Sequence, residues 1–168
     1  MKNMGLIAVG IVRNDLKEPS LRHRDGDLEH DPGNRGTDPC DMISEIIVHQ
    51  RFSDALDGIE DFSHIIVMFW TDCRVMDDLL VHPAGRRDLP LRGIFSTRSP
   101  ARPNPVALTT VKLMERKGNV LVVMGLDAID GTEVIDIKPH FPWYDAPDDP
   151  IVAPWVVEPF RRWRERTI

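Results

Sequence analysis

From Gly93 to Leu113 the chain reads GIFSTRSPARPNPVALTTVKL, and Pro100, Pro103 and Pro105 forbid a helix across this stretch. Each proline fixes its own φ, lacks an N–H and pushes the preceding residue towards extended backbone. The run therefore predicts an apolar strand over 93–97, a stiff extended loop, and a second strand starting at Val106. Ser96, Thr97 and Ser99 place hydroxyls near Arg98 and Arg102. Guanidinium groups on stiff backbone suit the capture of an anion or a polar ligand edge. A proline-stiffened connection whose arginines pair with surface carboxylates accounts for the same residues.

Strand-like runs recur at about 6–13, 42–49, 64–71, 93–97, 106–114, 120–126 and 133–138. Lys117-Gly118-Asn119 joins two of them as a hairpin, and Asp130-Gly131 opens the next turn. Many strands and few helical stretches predict an all-β chain, a single closed or nearly closed β-barrel with long loops. The barrel domain is expected over residues 1–144, with a short helical tail over 145–168 packed on it. Pro154 suits the first turn of that tail helix, and Pro159 would kink or restart it. Residues 14–41 read as an exposed excursion, and 72–92 as a second loop holding a short helix at Val75–Val81.

At 168 residues the chain suits one domain. Its formal net charge of −6 argues against a general nucleic-acid binder, because neutralising phosphates needs lysines and arginines. A local basic patch stays open, supplied by Arg22 and Arg24, Arg86 and Arg87, Arg98 and Arg102, or the Arg161–Arg166 tail. Cys40 and Cys73 are expected to be free thiols of a reducing compartment, and the histidines lack zinc-site spacing, so no metal is expected. The N-terminal MKNMGLIAVGIV reads as a first strand rather than a signal peptide. No run approaches the roughly 20 apolar residues of a membrane span, so a cytoplasmic protein is expected, without membrane association.

Residues 125–142 read GLDAIDGTEVIDIKPHFP. The pairing of TRSPxRPNP at 97–105 with DAIDGTxVIDIKPxxP at 127–142 resembles the TrmO-like (TsaA-like or YaeB-like) family of methyltransferases. Gly10-Ile11-Val12-Arg13 and the run Gly58–His64 support it, and the resemblance covers roughly 6–143. It implies a β-barrel fold, S-adenosyl-L-methionine as cofactor, and a homodimer. It also implies transfer to N6 of a threonylcarbamoyl-modified adenosine beside the anticodon of tRNA. The common methyltransferase architecture, with its GxGxxG turn, has no counterpart here.

By the same resemblance, cofactor contacts are expected at Arg98, Leu108, Asp127, Ile129, Asp130, Gly131 and Thr132. Asp72-Cys73 stands where the family often has His-Gln, Asn34-Arg35 where bacterial members carry Pro-Arg-Gln, and Val106-Ala107 where Ile-Gly is usual. Arg102, Asn104, Lys138 and His140 are expected to meet the substrate. Methyl transfer to a ring-conjugated nitrogen needs a proton acceptor, and Asp130, then Asp136, is the expected carboxylate. An Asp136–Lys138 ion pair explains those two residues equally well. His64 reads as a hydrogen-bonded structural histidine, and Trp70, Trp143, Tyr144 and Trp155 as core packing rather than base stacking. Two alternatives stand beside the tRNA enzyme: a methyltransferase of the same fold acting on a small acceptor, and a non-catalytic S-adenosylmethionine-binding protein.

Overall fold

The structure is a computed structural model that describes residues 5–18, 21–24, 27–30, 39–71 and 79–157. In chain order its strands are β1 (Gly10–Arg13), β2 (Leu21–Arg24), β3 (Asp27–His30), β4 (Ile43–Val48), β5 (His64–Trp70), β6 (Leu80–Val81), β7 (Arg92–Gly93), β8 (Val106–Lys117), β9 (Val120–Met124) and β10 (Glu133–Pro139). Along β4, Ser44, Ile46 and Val48 are buried while Ile43 and Glu45 are exposed, the period of a sheet with one face in a core. Strands of this kind close an antiparallel barrel in the order β1-β10-β5-β8-β9-β4. Its interior holds Val12, Ile46, Ile65, Val67, Leu121, Val123 and Val134, all fully buried. Each such side chain contributes about 1.5–3 kcal/mol by leaving water.

Two local features keep the register. The β8–β9 hairpin turns on Gly118-Asn119, with Gly118 at φ +63° in the left-handed region that glycine adopts without steric cost. Gly10 sits where β1 crosses closest to β4, and a Cβ there would stand 2.7 Å from the Ile47 carbonyl oxygen.

Three sequence expectations are corrected. The strand expected over 93–97 reduces to Arg92–Gly93 paired with Leu80–Val81, and Ile94–Ser96 forms a 3-10 turn. Ile94, Val81 and Ala101 are each buried without belonging to the barrel core cluster, so burial there serves the 79–105 excursion rather than a barrel strand. The helix expected at Val75–Val81 is strand where it is described, at Leu80–Val81. The 14–41 excursion holds a hairpin, β2–β3, in which Arg22 stands opposite Glu29 and Arg24 opposite Asp27.

Beyond β10 the chain makes two single-turn helices, α1 (Pro142–Asp145) and α2 (Pro154–Val157), each with proline as its first residue. No described helix is long and apolar enough to cross a membrane.

Candidate functional site

The site grows from the way β8 changes partners. Its first half, Val106–Lys112, pairs with Trp70–His64 of β5, and its second half, Lys112–Lys117, with Met124–Val120 of β9. The Leu113 N–H bonds Ser63 O and the Thr71 N–H bonds Pro105 O, so odd-numbered residues of β8 direct their backbone groups to β5. Leu108 and Thr110 therefore point the other way, towards an edge that β9 has already left at Met124. Past Met124 the chain follows β4 and β1 instead. Gly125 N–H bonds Met42 O, Asp130 N–H bonds Leu16 O, and Gly131 N–H bonds Val12 O. A seam opens between β8 and residues 125–132, at the barrel end where β1, β5 and β9 terminate.

Arg98 reaches this seam from the proline loop and donates from Nη2 to the Leu108 carbonyl at 2.7 Å. Arg102 supports it by donating to the carbonyls of Thr97 (2.9 Å) and Ser99 (3.2 Å), with its guanidinium 5.7 Å from the Phe95 ring centre. Arg102 holds the loop through Nη1 alone and Arg98 reaches Leu108 through Nη2 alone, so each arginine keeps most of its N–H donors. Neither arginine meets a carboxylate among the described residues, which removes the surface-pairing reading of this loop. Asn104 contributes its carbonyl to Val106 N–H and is exposed.

Across the seam, burial alternates: Leu126 and Ala128 are buried and Asp127 is exposed. Thr109 Oγ1 donates to Asp127 Oδ1 at 2.5 Å, a side-chain bond that spans the opening. Gly131 takes φ +83° in the turn that follows, and Ile129 O accepts the Thr132 N–H. Asp130 accepts from Asn14 N–H (3.2 Å) and Lys17 Nζ (2.8 Å), and these two donors, Lys17 foremost, hold its carboxyl below the ordinary range.

The chain thus gathers Arg98, Leu108, Asp127, Ile129, Asp130, Gly131 and Thr132 at one barrel end. It does not bring Lys138 and His140 to them. The Lys138–Ile66 pair and the His140 N–H bond to His64 O place both at the opposite end. Asp136 lies between, with Lys138 Nζ on its Oδ2, so the structural ion pair is present and raises the Lys138 pKa. His64 bonds Ser63 through Nδ1, as a structural histidine would. Trp143 and Tyr144 are each 83% exposed, which corrects their assignment to a core; among the described residues Trp143 stacks on Phe141 alone, at 5.5 Å. Trp70 is half-buried, and Trp155 lies 5.8 Å beneath the Arg92 guanidinium. Arg86 is engaged by neighbouring Asp88. Asn34-Arg35, Asp72-Cys73 and the Arg161–Arg166 tail lie outside the described residues.

Sequence reasoning missed Asn14, Lys17, Ser44 and Thr109. Asn14 bridges three elements, donating from Nδ2 to Ser44 Oγ (3.0 Å) and to Ala128 O (2.8 Å) and accepting from Leu16 N–H (3.0 Å). None of the four carries a local signal, because each acts across the barrel rather than along the chain. A groove of about 480 Å³ lined by Asp54, Asp57, Arg116 and Asn119 lies at the far end, beside the β8–β9 turn, and holds none of the expected site residues.

The seam fits a ligand with a carboxylate and a flat apolar part. Arg98 offers donors that no described carboxylate meets, and Leu108 is 41% exposed beside it. Carboxylates and carbonyl edges opposite suit a cationic centre.

A closed six-stranded antiparallel barrel, with Arg98 beside a seam at one end, is unlike the nucleotide folds built on a parallel sheet. Residues 34–146 match the tRNA-methyltransferase O N-terminal domain, and the chain belongs to that family. It is 44% identical over 79% of its length to a probable S-adenosyl-L-methionine-binding protein of Methanothermobacter thermautotrophicus, 87% of which is covered. It is 41% identical over 56% of its length to the tRNA (adenine(37)-N6)-methyltransferase of Mus musculus, and covers 22% of that longer chain. The crystal structure of TrmO from Pseudomonas aeruginosa superimposes with a TM-score of 0.63 at 26% identity, over 89% of this chain and 61% of the other.

Proposed function

We propose that this protein binds S-adenosyl-L-methionine in the seam between β8 and residues 125–132 and methylates N6 of an adenine in tRNA. The acceptor is the threonylcarbamoyl-modified adenosine beside the anticodon. The observation that carries the reading is Arg98, fixed on the Leu108 carbonyl with its other donors directed to no carboxylate among the described residues. Bound there, the cofactor supplies an activated methyl group on a sulfonium. Arg98 holds the carboxylate end by charge-assisted hydrogen bonds, Leu108 covers apolar surface, and the 127–132 turn borders the cation. Alignment of acceptor nitrogen, methyl carbon and sulfur supplies much of the acceleration. A modified base in a tRNA loop is already unpaired, which is how single-stranded RNA is usually read. Homodimerisation belongs to the same reading, and sedimentation of the purified protein checks it.

The test uses S-adenosylmethionine with a labelled methyl group and total tRNA from cells that make threonylcarbamoyladenosine and from cells that cannot. Label entering only the first pool is the expected result. Label in neither, with cofactor binding intact by calorimetry, overturns methyl transfer to tRNA. It would leave a methyltransferase of the same fold with a small acceptor, or a binding protein without transfer, the reading that the archaeal relative's description favours.

A further inference from the structure

The proton acceptor of this reaction is separable from the carboxylates that build the fold, because three candidates differ in how their oxygens are used. Asp130 has Oδ1 on the Asn14 N–H and Oδ2 on Lys17 Nζ. Asp136 has Oδ1 on the Ile137 N–H and Oδ2 on Lys138 Nζ. Both carboxylates are occupied at each oxygen, and each is neutralised by a lysine. Asp127 differs on both counts: Oδ1 accepts from the neutral Thr109 hydroxyl, and Oδ2 has no partner among the described residues. Its side chain is exposed between buried Leu126 and Ala128, so the backbone turns it out of the core and into the seam. Arg98 closes the same seam over Leu108, the residue preceding Thr109.

We propose that Asp127, oriented by Thr109, takes the N6 proton of the acceptor on its free Oδ2. This rests on the function proposed above and names a residue for one of its steps. The nitrogen–methyl bond forms as the sulfur–methyl bond breaks, and the electron pair of the broken bond stays on sulfur, which leaves as a neutral thioether. The N6 proton passes to Oδ2 of Asp127 and then to water, so the carboxylate is restored. The nitrogen becomes strongly acidic as it gains the methyl group, so a carboxylate at this place can take its proton. Thr109 is a positioning residue: its hydroxyl fixes the orientation of the carboxylate.

The experiment compares wild type, Asp127→Asn and Thr109→Val for cofactor affinity by calorimetry and for kcat and KM on threonylcarbamoyladenosine-containing tRNA. Asp127→Asn is expected to lower kcat by about 10²–10⁴-fold, a loss far larger than any fall in S-adenosylmethionine affinity, which calorimetry measures separately. Thr109→Val, which keeps volume and removes the hydroxyl, should lower kcat by about tenfold or more with KM and S-adenosylmethionine affinity unmoved, since the carboxylate loses the bond that fixes its orientation. A role confined to folding would lower the melting temperature without that split between kcat and KM. An active wild type with an unimpaired Asp127→Asn, an Asp127→Asn whose loss lies entirely in cofactor binding, or a Thr109→Val with the kcat of wild type overturns the assignment alone. A wild type that binds S-adenosylmethionine and labels no tRNA overturns the functional reading instead.

Discussion

Arg98 and Leu108 stand ten residues apart along the chain and meet through one hydrogen bond, 2.7 Å from Nη2 to the carbonyl oxygen. The bond uses one of five guanidinium donors and orients the rest. Lysine cannot hold the carbonyl and present a fork of donors at once. Arg98→Lys and Arg98→Ala should each weaken S-adenosylmethionine by at least about tenfold, in line with roughly 1.5–3 kcal/mol for hydrogen bonds to charged groups. Isothermal titration calorimetry checks this, and unchanged affinity in both variants would remove Arg98 from the site.

Asn14 is a different case, a residue that shapes the site without facing it. Removing its amide leaves buried Ser44 Oγ and the Ala128 carbonyl without that donor. Asn14→Ala should cost about 1–3 kcal/mol, read as a lower urea midpoint with an unchanged slope.

Asp130 supplies a pH signature. Lys17 and the Asn14 N–H depress its pKa in the folded state. Stability from this group is therefore fully present above the unfolded value of about 3.9, and is lost as pH falls from there through the lower folded pKa. Melting temperatures of wild type and Asp130→Asn should converge below about pH 3.9 and separate above it, with wild type the more stable. Parallel curves across that range would sink the assignment.

How much of this was legible in sequence depends on the range over which each feature is encoded. The runs at 42–49, 64–71 and 120–126 alternate or fill with apolar residues, and they became β4, β5 and β9. Ile94 misled because a buried apolar residue can belong to a loop as well as to a strand, and Phe95 because an apolar side chain can stay exposed; the β2–β3 hairpin stayed hidden because its sequence lacks an alternating apolar run. At the site, Arg98 and the 127–132 turn were legible as motifs. Lys138 and His140 were grouped with them because they are close in sequence, yet β10 carries them to the far end of the barrel. Thr109 and Asn14 could be found only by closing the barrel.

Gly10 tests that closure. Its missing side chain lets β1 approach β4 until a Cβ would meet Ile47 O at 2.7 Å and Val48 Cα at 3.1 Å, both backbone atoms that cannot swing aside. Gly10→Ala should destabilise by about 1–3 kcal/mol, the usual cost of overpacking. A melting temperature equal to wild type would show that the two strands can part without penalty.

The handover of β8 from one partner to another also makes the strand its own reporter. Its odd-numbered amides from Thr109 to Leu113 lie against β5, while those of Leu108 and Thr110 face an edge without a strand. Hydrogen exchange should therefore read out as a comb along a single strand, slow and fast at alternate residues. A molecule settling in the opening would fill in the fast teeth and leave the slow ones untouched, so occupancy becomes measurable at two amides without a label, a product or an assay of turnover.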